Sequence, residues 1–140
     1  ELIAESCHLG TAHPPGYPLY TMMSYIFMKL PFIRLYMDQS NMQIQIDYHP
    51  TNAWKVNHFS CILGALTGAF ITASCGLIIG ATSRYSFFSC CMAGLLFSLS
   101  PLAWEYSIGG EVFALNNCLT ASLTYLTISL HYHLTISYVS

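Results

Sequence analysis

The sequence predicts an all-α, polytopic membrane protein, on three observations. The 140 residues carry four Lys+Arg and six Asp+Glu, so 7% are charged, against roughly a quarter in a soluble domain. Apolar residues make up 54% of the chain and the mean hydropathy is +0.51, too apolar for a disordered tail. Three runs lack Asp, Glu, Lys and Arg over lengths that suit a bilayer crossing. Membrane lipid is therefore the expected surrounding. A net charge of −2 excludes a basic nucleic-acid surface, which needs several phosphate contacts. The chain opens on Glu1 with no targeting segment ahead of the first motif, and it reads as a fragment of a longer protein.

Residues 1–35 hold the first motif and a short helix. Glu1, Glu5 and His8 recur at i, i+4 and i+7, so a helix stacks two carboxylates and an imidazole on one face. That face can hold a proton or a polar ligand; a plain solvated face is the competing reading. Pro14 and Pro15 are expected to end this helix, and Gly16 to let the chain turn. The run from Tyr17 to Leu30 reaches only about 21 Å as a helix, short of the roughly 30 Å of a bilayer core. A juxtamembrane or re-entrant helix is expected, with Pro18 in its first turn and Tyr17, Tyr20 and Tyr25 near the headgroups. The alternative is a tilted span continuing to Tyr36.

Residues 36–55 form the expected polar loop, carrying Asp38, Asp47 and Lys55. Residues 56–140 hold the expected transmembrane helices, at about 56–81, 87–104 and 112–134. If the Tyr17 segment does not cross, two crossings separate the first motif from Trp104, Glu105 and Glu111, and both lie on one side. Arg84 then occupies the opposite, cytoplasmic loop. Gly64, Gly68, Thr72, Gly76 and Gly80 recur every four residues and predict a ridge for close helix approach. Asn117, Thr120, Thr124, Thr127 and His131 form a polar stripe that should face protein or a wet cavity. Interhelical hydrogen bonding is its ordinary use.

Cys61, Cys75, Cys90, Cys91 and Cys118 fall inside the apolar runs and are expected to be buried and inert, with only Cys7 outside. No metal site is expected: His8 and His13 at i, i+5 stand about 140° apart on a helix, and His131 and His133 diverge as well. The remaining cluster is Trp104 to Asn117, with Glu105, Glu111 and a Gly109-Gly110 break that lets the backbone fold back against a ligand. Glu111 also suits simple capping of the helix that follows.

Three ordered motifs carry a resemblance. They are Glu1-Leu2-Ile3-Ala4-Glu5 continuing through Cys7, His8, Ala12, His13, Pro14, Pro15, Gly16, Tyr17, Pro18 and Leu19; then Ala53-Trp54-Lys55-Val56-Asn57; then Trp104, Ser107, Glu111-Val112-Phe113 and Leu115-Asn116-Asn117. In this order they resemble the transmembrane protein 260 family over nearly the whole chain. The resemblance implies a C-type glycosyltransferase bundle in the endoplasmic reticulum membrane, multi-pass. The expected reaction moves mannose from dolichyl phosphate mannose to Ser or Thr of a protein acceptor, a receptor ectodomain. No cofactor is implied, because the lipid-linked sugar is a substrate.

By the same resemblance Glu1, Glu5 and Glu111 are the candidate acid–base or supporting carboxylates. His8, His13, Tyr17, Lys55, Trp104, Asn116 and Asn117 are the candidate donor- and substrate-binding residues. The family pattern reads Gly-Gly-Asp-Ser-Gly-Glu-Leu and this sequence starts at its Glu, so the expected catalytic Asp lies upstream of Glu1 and the isolated fragment is expected to be inactive. Lys55 stands where relatives often carry Arg, which keeps the charge and loses the bidentate grip on phosphate. The alternative function is a membrane transporter or assembly subunit that uses the polar stripe.

Overall fold

The computed structural model describes residues 2–10, 17–30, 52–80 and 83–139, and these form an all-helical bundle. Its helices are α1 (Leu2–His8), α2 (Pro18–Lys29), α3 (Asn52–Ile79), α4 (Arg84–Ser98), α5 (Pro101–Ile108) and α6 (Val112–Val139). The central helix is α3, which packs against each of the other five. Glu1, His13, Pro14, Pro15, Gly16, Asp38 and Asp47 lie outside the described residues.

Helix α1 ends sooner than the two prolines predict. Leu9 turns left-handed at φ 53°, and the Gly10 N–H donates to the Glu5 carbonyl at 3.0 Å, the six-to-one closure of a Schellman cap. The Glu5 carboxylate folds back into the space that a side chain at Gly10 would fill. Helix α2 starts as predicted, with Pro18 in its first turn behind a left-handed Tyr17 (φ 43°, ψ 51°).

The sidedness of α2 is inverted relative to a soluble helix. Tyr20, Thr21 and Ser24 are buried, while Leu19, Met22, Ile26 and Leu30 form an exposed apolar row at the spacing of one helix face. Tyr20 and Phe27, about two turns apart, both meet the ring of Phe59 on α3, at centroid distances of 6.1 and 5.1 Å. Two helices running side by side would place such residues against partners two turns apart. Helix α2 therefore crosses α3, laid over one end of the bundle like a strap.

Helix α3 begins at Asn52, so Lys55 is helical and does not belong to the expected loop. It is apolar around its whole circumference, and two of its buried hydroxyls are satisfied within the helix: Thr67 Oγ1 donates to Leu63 O at 2.8 Å and Ser74 Oγ to Phe70 O at 2.8 Å. Of the three expected spans, α3 alone is long and apolar enough to cross a membrane as one helix among the described residues. The expected span over 87–104 is broken: α4 and α5 meet at 65° and together amount to one bent span or a re-entrant loop. Pro101 is the cause. It brings no N–H to the ladder and holds Ser100 extended (φ −64°, ψ 136°). Helix α6 equals α3 in length at 28 residues, but its Asn, Thr, Ser and His content dilutes its apolar character.

The glycine ridge is an interface over part of its length. A Cβ at Gly64 or Gly68 would strike Ser107 Oγ or Ser98 Oγ, and one at Gly94 would strike Thr72 Oγ1 and sit 2.7 Å from Gly68 O, so α3 receives α4 and α5 at backbone range there. Gly76 and Gly80 face open space. The start of the α6 stripe, Asn117, Thr120 and Thr124, lines a groove shared with Thr67 of α3. Thr120, Thr124, Thr127 and His131 are exposed, and the Thr124 and Thr127 hydroxyls donate to their own helix at Thr120 O and Leu123 O, both at 2.9 Å. Back-bonding to the fourth preceding carbonyl is always within reach on a helix, and it displaces interhelical bonding here. The six cysteines are free; Cys90 and Cys118 are buried as expected, whereas Cys61, Cys75 and Cys91 are half-buried.

Candidate functional site

The end of the bundle under α2 gathers the three motif segments. Its pivot is the turn between α5 and α6, where the Gly109 N–H donates to Glu105 O at 3.3 Å and the Glu111 N–H to Gly109 O at 2.9 Å. At Gly110 a Cβ would stand 2.9 Å from Ile3 Cγ1, 3.1 Å from Val56 Cγ1 and 3.2 Å from Asn57 Oδ1. Only a residue without a side chain lets the turn lie this close to α1 and α3 together. The same junction is cemented by a core in which Leu2, Tyr20, Val56, Phe59, Leu63, Ala114, Leu115 and Cys118 share contacts. Among the described residues Asn57 Oδ1, beside Gly110, and Ser6 Oγ are buried without a hydrogen-bond partner, and the buried Ser24 hydroxyl acts on the Tyr20 phenol.

Tyr20 is the polar centre of this end. It is 1% exposed, and its hydroxyl lies 3.0 Å from Ser60 Oγ. Burial pushes the phenol above its ordinary value; the hydrogen bond with Ser60 opposes that shift, and the charge of Glu111 adds to it. The two hydroxyls are thus held together in the interior, and either oxygen can donate.

The expected site residues divide among several surfaces. Tyr17 and Asn116 come together on one groove of about 370 Å³ between the start of α2 and the first turns of α6, with Pro18, Tyr20, Val112 and Leu119. Asn117 faces a separate groove of about 340 Å³ beside Thr67 and Thr124. Trp104, 56% exposed, lines the flank of α3 in an apolar groove of about 650 Å³ with Cys61, Gly64 and Gly68. Lys55 lines a small polar groove of about 120 Å³ with Cys7, Tyr25, Lys29 and Asn52. Glu5 is half-buried and His8 exposed on α1, and Glu1 and His13 fall outside the described residues.

Ser60 and Lys29 are not among the expected site residues, Asn57 figures there only as part of a motif, and Tyr20, expected near the headgroups, is buried instead. Tyr20 and Ser24, one turn apart in an apolar run, and Ser60 inside the first span were the available signal, because a hydroxyl in an apolar stretch needs a partner. Among the described residues no three His, Cys, Asp or Glu side chains stand together as a metal site would require.

The family model described as the protein O-mannosyl-transferase TMEM260 N-terminal domain matches residues 1–136. The chain belongs to this family. It is 33% identical over 131 residues to the protein O-mannosyl-transferase tmem260 of Dictyostelium discoideum, covering 90% of the chain and 13% of that relative. To the protein O-mannosyl-transferase TMEM260 of Mus musculus it is 32% identical over 129 residues, covering 91% of the chain and 15% of the relative. The chain thus spans a small part of the length of these TMEM260-family relatives. No solved structure matches it.

Proposed function

We propose that this chain forms the N-terminal membrane part of a protein O-mannosyl-transferase of the endoplasmic reticulum, which transfers mannose from dolichyl phosphate mannose to Ser or Thr of receptor ectodomains. The observation that carries this reading is the contact of Gly110 with Ile3, Val56 and Asn57, which joins all three family motifs at one end of the bundle. A lipid-linked donor is confined to the bilayer, so its reacting phosphate and sugar must be met at helix ends, and this end offers them.

In the proposed chemistry a carboxylate takes the proton from the acceptor hydroxyl, the oxygen attacks the anomeric carbon, and the lipid phosphate leaves with the electron pair of the broken bond. Tyr17 and Asn116 present polar atoms to the sugar in their shared groove, whose volume of about 370 Å³ admits a monosaccharide. Glu111 orients the acceptor or fixes the Gly109-Gly110 turn, Glu5 supports the site from α1 with Glu1 as a second supporting carboxylate, and His13 donates to the leaving phosphate. Lys55 and Trp104 bind the donor from their own grooves, and His8 and Asn117 contribute to substrate binding from α1 and α6. The bundle is multi-pass in this reading, with α3 and the bent α4–α5 pair as spans and α6 as a further one.

The test is Glu111→Gln in the full-length protein, with mannosylation of an acceptor ectodomain as readout. The substitution removes the charge that orients the acceptor or fixes the turn, and mannosylation should fall. Unchanged mannosylation removes Glu111 from the mechanism. A transporter or assembly subunit remains the second reading, and the exposed Thr120, Thr124, Thr127 and His131 face of α6 is the observation that favours it.

A further inference from the structure

We propose that the small groove where the end of α2 meets the first turn of α3 binds the phosphate group of a membrane lipid, held by Lys29 and Lys55. Lysines are rare in this chain: only two of its 140 residues are Lys. Both line this one groove, together with Cys7, Tyr25, Met28 and Asn52. Its volume of about 120 Å³ suits a phosphate group rather than a sugar or a peptide.

The Lys29 side chain is exposed, and its ammonium lies 5.2 Å from the centre of the Tyr25 ring, a cation–π contact that tethers it beside the groove. Among the described residues neither lysine has an ion-pair partner. Two lysines that line one groove, with no carboxylate among its described lining residues, repel, and an anion seated there turns that repulsion into two charge-assisted hydrogen bonds. Asn52 and Tyr25 add neutral polar atoms that complete a phosphate's acceptor-rich surroundings.

Location selects a lipid as the source. Lys55 sits at the start of the one helix long and apolar enough to cross a membrane, and Lys29 follows the exposed apolar row of Leu19, Met22 and Ile26 on α2. Charges at the ends of two lipid-facing helices lie at headgroup depth. The site does not depend on the transferase reading, since a structural phospholipid and a lipid-linked donor present the same phosphate chemistry.

Cys7 lines the groove and reports on it. The full-length protein is placed in phosphatidylcholine nanodiscs, and alkylation of Cys7 by uncharged iodoacetamide is followed by peptide mass spectrometry, with Cys91 as internal control. Phosphatidic acid is added in one arm, an equal charge of oleate in a second, and inorganic phosphate in a third. At about ten times its Kd, phosphatidic acid should slow Cys7 alkylation about tenfold, with Cys91 unchanged and oleate without effect.

Lys29→Met with Lys55→Met should abolish the protection, and Lys29→Arg with Lys55→Arg should retain it, each scored against its own rate without added lipid. Protection by inorganic phosphate alone would overturn the lipid assignment. Equal protection by oleate, protection surviving in the double Met variant, or none in any arm would overturn the site. Because Lys55 is also assigned to donor binding, Lys29→Met alone separates the two readings: it should weaken the Cys7 protection, and its mannosyl transfer is scored independently.

Discussion

Two residues at the end of the bundle set the terms for everything built there. Gly110 is fixed by proximity: the side chain of alanine would enter within 2.9 Å of Ile3 Cγ1, closer than packed carbons tolerate. Gly110→Ala is therefore expected to destabilise the protein by about 1–3 kcal/mol through overpacking, read as a lower thermal midpoint in detergent. Tyr20 is fixed by burial and by Ser60. Its proton is held more tightly folded than unfolded, so the stabilisation is fully present below the unfolded phenol value of about 10 and is lost as pH rises toward the folded one. The full-length protein should thus unfold more readily as pH climbs above about 10, and Tyr20→Phe should remove that slope while sacrificing the bond to Ser60. An unaltered alkaline slope in Tyr20→Phe would assign it to another group.

Among the elements, the bent α4–α5 pair carries the most consequential departure from a plain bundle. The 65° break turns α5 so that Ser107 meets Gly64 and brings the Gly109-Gly110 turn back over α1. Pro101→Ala restores an N–H and frees Ser100 to become helical. Spin labels at Tyr85 and Ile108 should then move apart by about 5 Å as the two arms align. An unchanged separation would show that packing on α3, rather than the proline, holds the angle. Helix α2 makes the complementary point about environment: with Thr21 and Ser24 inside and Leu19, Met22 and Ile26 outside, its outer face is built for an apolar surrounding.

For the molecule as a whole, the helical class was legible because charge scarcity and uncharged runs are properties of composition. The place of Pro18 and the close approach at Gly64 and Gly68 were legible because each follows from one residue's sterics. The break at Pro101 was hidden inside an apolar run that satisfied the length rule, although the proline itself was visible. The α1 stop was hidden because a left-handed Leu9 carries no sequence signature of the kind glycine supplies. The gathering at Gly110 was legible only as an expectation of sidedness, while the division of Tyr17, Asn117, Trp104 and Lys55 among separate grooves depends on helix rotation about α3, which spacing within a single helix cannot encode. The seating of Leu2 beside Val56, Ala114 and Leu115 reaches into the order of synthesis. Val56 leaves the ribosome about 54 residues after Leu2 and Ala114 about 112 residues after it, so at roughly 5–20 residues per second the contact with α3 can close seconds before the one with α6. Until α6 is made, the side of α1 that Leu2 turns toward Ala114 and Leu115 stays uncovered by that helix, which gives whatever shelters a nascent chain a part in the biogenesis of this bundle.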